Sequence, residues 1–136
     1  MGFLDKTISK TKSSFATTSS KLDEKREVNA LQNQIKAERA KVKENYETIG
    51  KEYYRWTYDS DEEHKKNCDR IVEEINESRQ IIEDLEQQIS NVRAEGKEHR
   101  STIKAETDAK IEEIEEADAQ ARDEKEKQRK EREDPF

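Results

Sequence analysis

His64 and Cys68 stand four residues apart, a spacing that puts an imidazole and a thiol on one side of a helix as two potential metal ligands. Zinc takes four protein ligands in a structural site, or three and a water in a catalytic one, so this pair fills half a site. Only a dimer could double the set. The pair therefore reads as a solvent-edge histidine beside a part-buried small thiol, and no metal is expected. Carboxylates are plentiful in "KIEEIEEADA", where Glu112, Glu113, Glu115 and Glu116 surround a short apolar stripe in the manner of an exposed helix. General acid–base chemistry needs a concave, partly dry site to shift a carboxyl pKa, and two or three helices offer none. Nor does the chain hold a Gly-rich phosphate loop, a nucleophile elbow or a histidine pair of zinc-protease type. The expectation is a protein that is not an enzyme, with no cofactor and no small-molecule substrate.

The elements that would position any site are helical. Leu, Ile, Val and Phe make up 22 of the 136 residues, too few for an ordinary globule, yet 27 basic and 34 acidic side chains nearly balance. A long helix carrying ion pairs fits this composition better than a self-repelling coil. There are three Gly, and the one Pro is Pro135, so nothing between Lys10 and Asp134 forbids helix, whereas a β fold would want turn residues and alternating β-branched side chains. One cysteine, no run apolar enough for a signal peptide or a spanning helix, and Lys6 where a myristoylation motif wants Ser or Thr together point to a cytoplasmic protein without a lipid anchor. Charge is uneven. Residues 1–22 carry four Lys against Asp5, while residues 59–136 hold 15 basic against 26 acidic side chains, an acidic body that repels nucleic acid.

Two seams recur at heptad spacing. The first is Val28, Leu31, Ile35, Val42, Ile49 and Trp56, with Glu38, Asn45 and Glu52 at its weaker positions and Tyr46 and Tyr53 alongside. The second is Ile71, Ile75, Ser78, Ile82, Leu85, Ile89, Val92, Gly96, His99 and Ile103, with alternating steps of four and three that mark a coiled coil. Between them "TYDSDEEH" supplies a stop and a start, with Ser60 as cap of a helix whose third residue is Glu63. A turn near Asp59 and Ser60 makes an antiparallel hairpin that sets Ile49 beside Arg70 and Ile71, Val28 beside Asn91 and Val92, and Cys68 opposite Gly50 and Lys51. Past Ile103, Thr107, Ile111, Ile114, Asp118 and Ala121 include two successive steps of four, a stutter that leaves the helix intact. From Asp118 the chain is a charged helical tail with acids four residues ahead of bases.

Residues 1–22 pose a separate question. At about 100° per residue, Leu4, Ile8, Phe15 and Leu22 share a narrow arc with Thr11 and Thr18 beside them, and Lys6, Lys10 and Lys21 lie on the far side. Nine Ser or Thr residues in this leader are mediocre helix formers, so the leader should be helical only when something covers its stripe. One cover is the end of the second helix, with Phe15 near Ile103 and Lys104 and Ile8 near Ile111. The other is an anionic membrane, because a thin apolar stripe on a Ser/Thr-rich face suits lipid-packing defects and lysines suit acidic headgroups. Phe3, Leu4, Lys6, Ile8, Lys10, Phe15, Lys21 and Leu22 are the membrane- or partner-binding candidates. Tyr54 and Tyr58 are partner-binding candidates too, since five aromatics crowd the end of the first seam and these two fall outside it.

"MGFLDK", "ENYETIGKEYY", and a Cys followed at three residues by an Ile with a heptad run ending "IEDLEQQI" resemble a group of small bacterial zinc-ribbon coiled-coil proteins, over about residues 1–95. The resemblance implies an amphipathic leader ahead of a helical hairpin and, in that group, a closing Cys-x-x-Cys ribbon. This chain has no Cys-x-x-Cys, and an acidic helix stands where the ribbon would be, so the ribbon's metal site does not carry over. The group brings no established activity.

The sequence thus predicts an all-α, elongated antiparallel coiled-coil hairpin: a leader helix over 1–22, a first coiled-coil helix over 23–58, a turn at 59–62, a second coiled-coil helix over 63–117 and a solvated tail over 118–136. It predicts an interaction or scaffold protein that forms homo-oligomers with itself and binds protein partners. The alternative is a peripheral membrane protein that uses residues 1–22 on the inner face of a membrane.

Overall fold

In a computed structural model that describes residues 2–133, the chain forms two helices, α1 (Gly2–Asp59) and α2 (Glu62–Glu133), packed against each other as an all-α hairpin. Neither helix breaks where composition changes. Residues 2–22 are the first turns of α1, residues from 118 are the last turns of α2, and only Ser60 and Asp61 lie between the helices. Residues 134–136 of the expected tail lie outside the described residues. The chain divides into two compact units, a body of residues 24–95 and a second unit made by residues 2–23 with residues 96–133.

The body is built on the two seams. Val28, Leu31 and Ile35 of α1 close against Leu85 and Ile89 of α2, with Ile82 and Val92 packed around them. Ile71, Ile75 and Ser78 continue the buried row on α2, while Glu38, Val42, Asn45, Ile49, Glu52 and Trp56 continue it, half-buried, on α1. Steps of three and four bring these groups to one side of each helix, and that side is where water is excluded. The antiparallel register follows the turn: Tyr46 Oη accepts from Arg79 Nη2 at 2.9 Å, and Arg39 Nη2 meets Glu86 Oε1 at 3.5 Å. Cys68 sits near the predicted level, with its Sγ 4.0 Å from the Ile49 carbonyl oxygen, but Gly50 does not admit it, because the Cβ direction of Gly50 faces open space. Proximity there comes from the half-buried seam, not from a missing side chain.

The turn departs from the expected cap. Asp61, not Ser60, caps α2, its Oδ1 accepting from the Glu63 amide at 3.0 Å. Ser60 instead ends α1: its amide donates to the Trp56 carbonyl at 2.8 Å and its φ is 54°. That left-handed position suits glycine, since any Cβ there crowds the backbone. Ser60→Gly is therefore expected to stabilise the body by about 0.5–1 kcal/mol, read as a higher midpoint in a Trp56 fluorescence melt. An unchanged or lower midpoint would mean that Ser60 does not hold this conformation.

Candidate functional site

Side-chain size decides how the leader sits. Within the second unit, the α1 residues that turn away from solvent are Gly2, Lys6, Ser9, Ser13, Ala16, Thr17 and Ser20, and Ser9 keeps only 7% of its surface exposed. Gly2 lies against the carboxylate of Asp118, where any Cβ would collide with it. Lys6 Nζ reaches Glu115 Oε1 at 3.0 Å, Ser20 Oγ and His99 Nδ1 are 3.2 Å apart, and Ser9, Ser13 and Ala16 line a groove with Ile103 and Thr107. Small side chains let the two backbones come close, so this face packs where a bulkier one would stand off. The seam on α2 shifts accordingly: Arg100 is half-buried where His99 was expected, and His99 lies exposed at the edge. The predicted stutter is present, since Ile103, Thr107 and Ile111 turn inward at steps of four, but the row ends at Asp118 and Ala121 is exposed.

The apolar stripe therefore faces the wrong way for the expected intramolecular packing. Leu4, Ile8, Phe15 and Leu22 are exposed, as is Phe3, with Phe15 at 78% and Phe3 at 81%. Phe15 does not meet Ile103, and Ile8 does not bury on Ile111; Ser13 and Ala16 occupy that side. The covered face is rotated by about 145° from the stripe, at about 100° per residue. Of the charged candidates, Lys6 belongs to the packed face and Lys10 and Lys21 are exposed.

Three threonine hydroxyls on the outward face are already engaged. Thr7 Oγ1 donates to the Phe3 carbonyl at 2.9 Å, Thr11 to Thr7 at 2.8 Å and Thr18 to Ser14 at 2.9 Å. Each threonine turns its donor back onto its own helix, so covering this face with an apolar surface leaves none of these donors without an acceptor. A shallow concavity here is lined by Thr7, Lys10, Thr11, Ser14, Phe15 and Thr18. Among the described residues no helix is long and apolar enough to cross a membrane.

The hairpin tip carries the second candidate set. Tyr54 and Tyr58 point to solvent and stack on each other with centroids 6.2 Å apart and planes inclined by 13°. Tyr53 packs on Trp56 at 5.8 Å, and Lys65 Nζ lies 5.9 Å from the Trp56 ring centre. Here α1 and α2 are also joined by a polar contact that spacing did not reveal: His64 Nδ1 donates to Glu52 Oε2 at 2.5 Å, both side chains being largely covered. His64 is thereby engaged with a carboxylate, and the described residues hold no group of three His, Cys, Asp or Glu that could bind a metal. Burial, with the charges of Glu52 and Asp69, pushes the Cys68 thiol up, which disfavours the reactive thiolate. No protein-family model, curated protein or solved structure matches this chain.

The hydrogen bond from His64 holds the Glu52 carboxyl below its ordinary value, against the opposing effect of burial, with Asn67 and the charges of His64 and Arg55 adding to the lowering. A carboxyl lowered on folding contributes stability at pH values above its unfolded pKa, and that contribution is lost as pH falls through the folded value. Acidification is therefore expected to loosen the tip at pH values below the usual carboxylate range. Glu52→Gln should flatten the acid limb of a plot of Trp56 melting midpoint against pH. An acid limb as steep in the variant as in the parent would exclude this role for Glu52.

Proposed function

We propose that this chain is a non-enzymatic coiled-coil scaffold whose binding surface is the outward face of residues 3–22. The supporting observation is the orientation of the leader: its small-residue face is packed against α2, which leaves Leu4, Ile8, Phe15 and Leu22 exposed along a formed helix. An unpartnered row of this kind is the usual mark of an interaction surface. The body supplies the other half of the reading. It buries a single row of side chains per helix, no described side chain falls below 2% exposure, and Val72 and Ile81 remain half-exposed beside the core. Two-helix units of this sort gain by pairing, so the body is the part of the chain that self-associates.

The test is a comparison of the full chain with a variant in which Leu4, Ile8, Phe15 and Leu22 are serine. The fold should survive, because none of the four is buried. Association in native cells, followed by cross-linking and by fractionation, should be lost while the sedimentation coefficient of the purified protein stays that of the parent. A variant that cross-links and fractionates like the parent would overturn the reading.

A further inference from the structure

The proposal that residues 3–22 form the binding surface leaves its partner open; on that reading we propose that the partner is an anionic lipid surface, which the leader meets as a formed helix still packed on α2. Three observations select lipid. The first is shape: Leu4, Ile8, Phe15 and Leu22 form a narrow exposed row along a helix, an arrangement that can lie at the boundary between headgroups and acyl chains. The second is the state of the threonines. Thr7, Thr11 and Thr18 bond back to their own helix, so along one side of the row a hydrocarbon boundary meets no free threonine donor.

The third is charge. Lys12 stands about 65° from the row on one side, and Lys21 and Lys10 about 115° to 135° on the other; all three are exposed, and they outnumber the one exposed acid of residues 3–22, Asp5, which lies on the Lys12 side. Their stems are long enough to lay an ammonium at headgroup level while the row is immersed. The acidic stretch of α2 lies behind the leader, because Glu115 and Asp118 meet Lys6 and Gly2 on the packed face. Helix axes in contact are about 8–10 Å apart, comparable to the screening length of about 8 Å at physiological ionic strength. A membrane in front of the leader thus meets its lysines directly and the α2 carboxylates through a screened gap.

Docking of this kind requires no opening of the hairpin. A leader that had to leave α2 to bind would expose Ser9, Ser13 and Ala16, which offer lipid little apolar area. The packed small-residue face instead supplies the helix with order before binding, which removes part of the ordering cost that a free Ser/Thr-rich peptide would incur on insertion.

The experiment is co-sedimentation of the full chain with phosphatidylcholine vesicles, with and without phosphatidylglycerol. It is joined by Phe15→Ser, by the triple variant Lys10→Gln, Lys12→Gln, Lys21→Gln, and by nitroxides at the exposed positions Thr11 and Ala109, singly and as a pair, in a Cys68→Ser background. Binding should require phosphatidylglycerol, fall about ten-fold with Phe15→Ser, fall again with the lysine variant, bring oxygen accessibility typical of lipid to position 11, and leave the distance between the paired labels unchanged. Absence of binding to either vesicle would overturn the lipid assignment. If Phe15→Ser then still abolished cross-linking in cells, the interaction reading would stand with a protein as partner, and if it did not, both would fall. A longer distance between the paired labels on binding would overturn the packed-leader mode of docking.

Discussion

Leu85→Ala is expected to lower the stability of the body by about 2–5 kcal/mol, whereas Phe15→Ala, a larger truncation, is expected to change it by less than about 0.5 kcal/mol. Leu85 keeps 6% of its surface and sits inside the cluster of Val28, Leu31, Ile35 and Ile89. Shortening it removes contacts from both helices at once, and with only one buried row there is no second layer to collapse into the gap. Phe15 already stands in water. The contrast is readable in one instrument, because the only tryptophan is Trp56, which belongs to the body and reports its unfolding. A Phe15→Ala melt that shifts as far as the Leu85→Ala melt would show that the leader's stripe is core after all.

Ser9→Glu combined with Ser13→Glu is expected to release the leader, at a cost of roughly 2–4 kcal/mol in the second unit. Both serines face α2, and their neighbours there are Ile103, Glu106, Thr107 and Lys110, with Lys12 on their own helix. Two glutamates are too large for a face where serines let the backbones come close, and Glu106 repels the new charge that Lys110 and Lys12 offset only in part. Once released, the leader has little helix propensity of its own with so many Ser and Thr. Circular dichroism should show the loss of about one leader's worth of helix, while the Trp56 melt keeps its midpoint. Full retention of helix in the double variant would mean that this face is not the packed one.

The body was legible because its seams are made of the bulkiest side chains. Val28, Leu31 and Ile35 on one helix and Ile71, Ile75, Leu85 and Ile89 on the other are spaced by threes and fours, and the turn residues fix which level of one helix meets which level of the other. Glu52 and Asn45 were readable as weak seam positions, but not the Glu52–His64 hydrogen bond, since that depends on two side chains reaching across levels twelve residues apart in the chain. Ser60 and Asp61 show a similar limit. Both residue types cap helices, and only the backbone angle at Ser60 decides that the cap falls to Asp61.

The leader packs on the expected stretch of α2 but turns another face to it, for a physical reason. Apolar periodicity picks out Leu4, Ile8, Phe15 and Leu22 as the face with the largest apolar area. It does not say what provides the cover. Close approach of two helices selects small side chains, and Gly2, Ser9, Ser13, Ala16 and Ser20 recur at steps of three, four or seven without any hydrophobic contrast to advertise them. In addition, burial along α1 runs through Ala16, Ser20, Glu24 and Val28 in three successive steps of four, so a heptad carried back from Val28 reaches exposed Lys21, Ser14 and Thr7, while one carried back from Leu31 still meets covered Glu24 and Thr17.

The scaffold reading and its lipid refinement both depend on which side of the leader is turned outward. Nitroxides placed singly at positions 4, 8, 15 and 22 of the full-length Cys68→Ser protein measure this directly through label mobility. Free labels at all four positions in the protein alone are the expected result. Immobilised labels at these positions would contradict it.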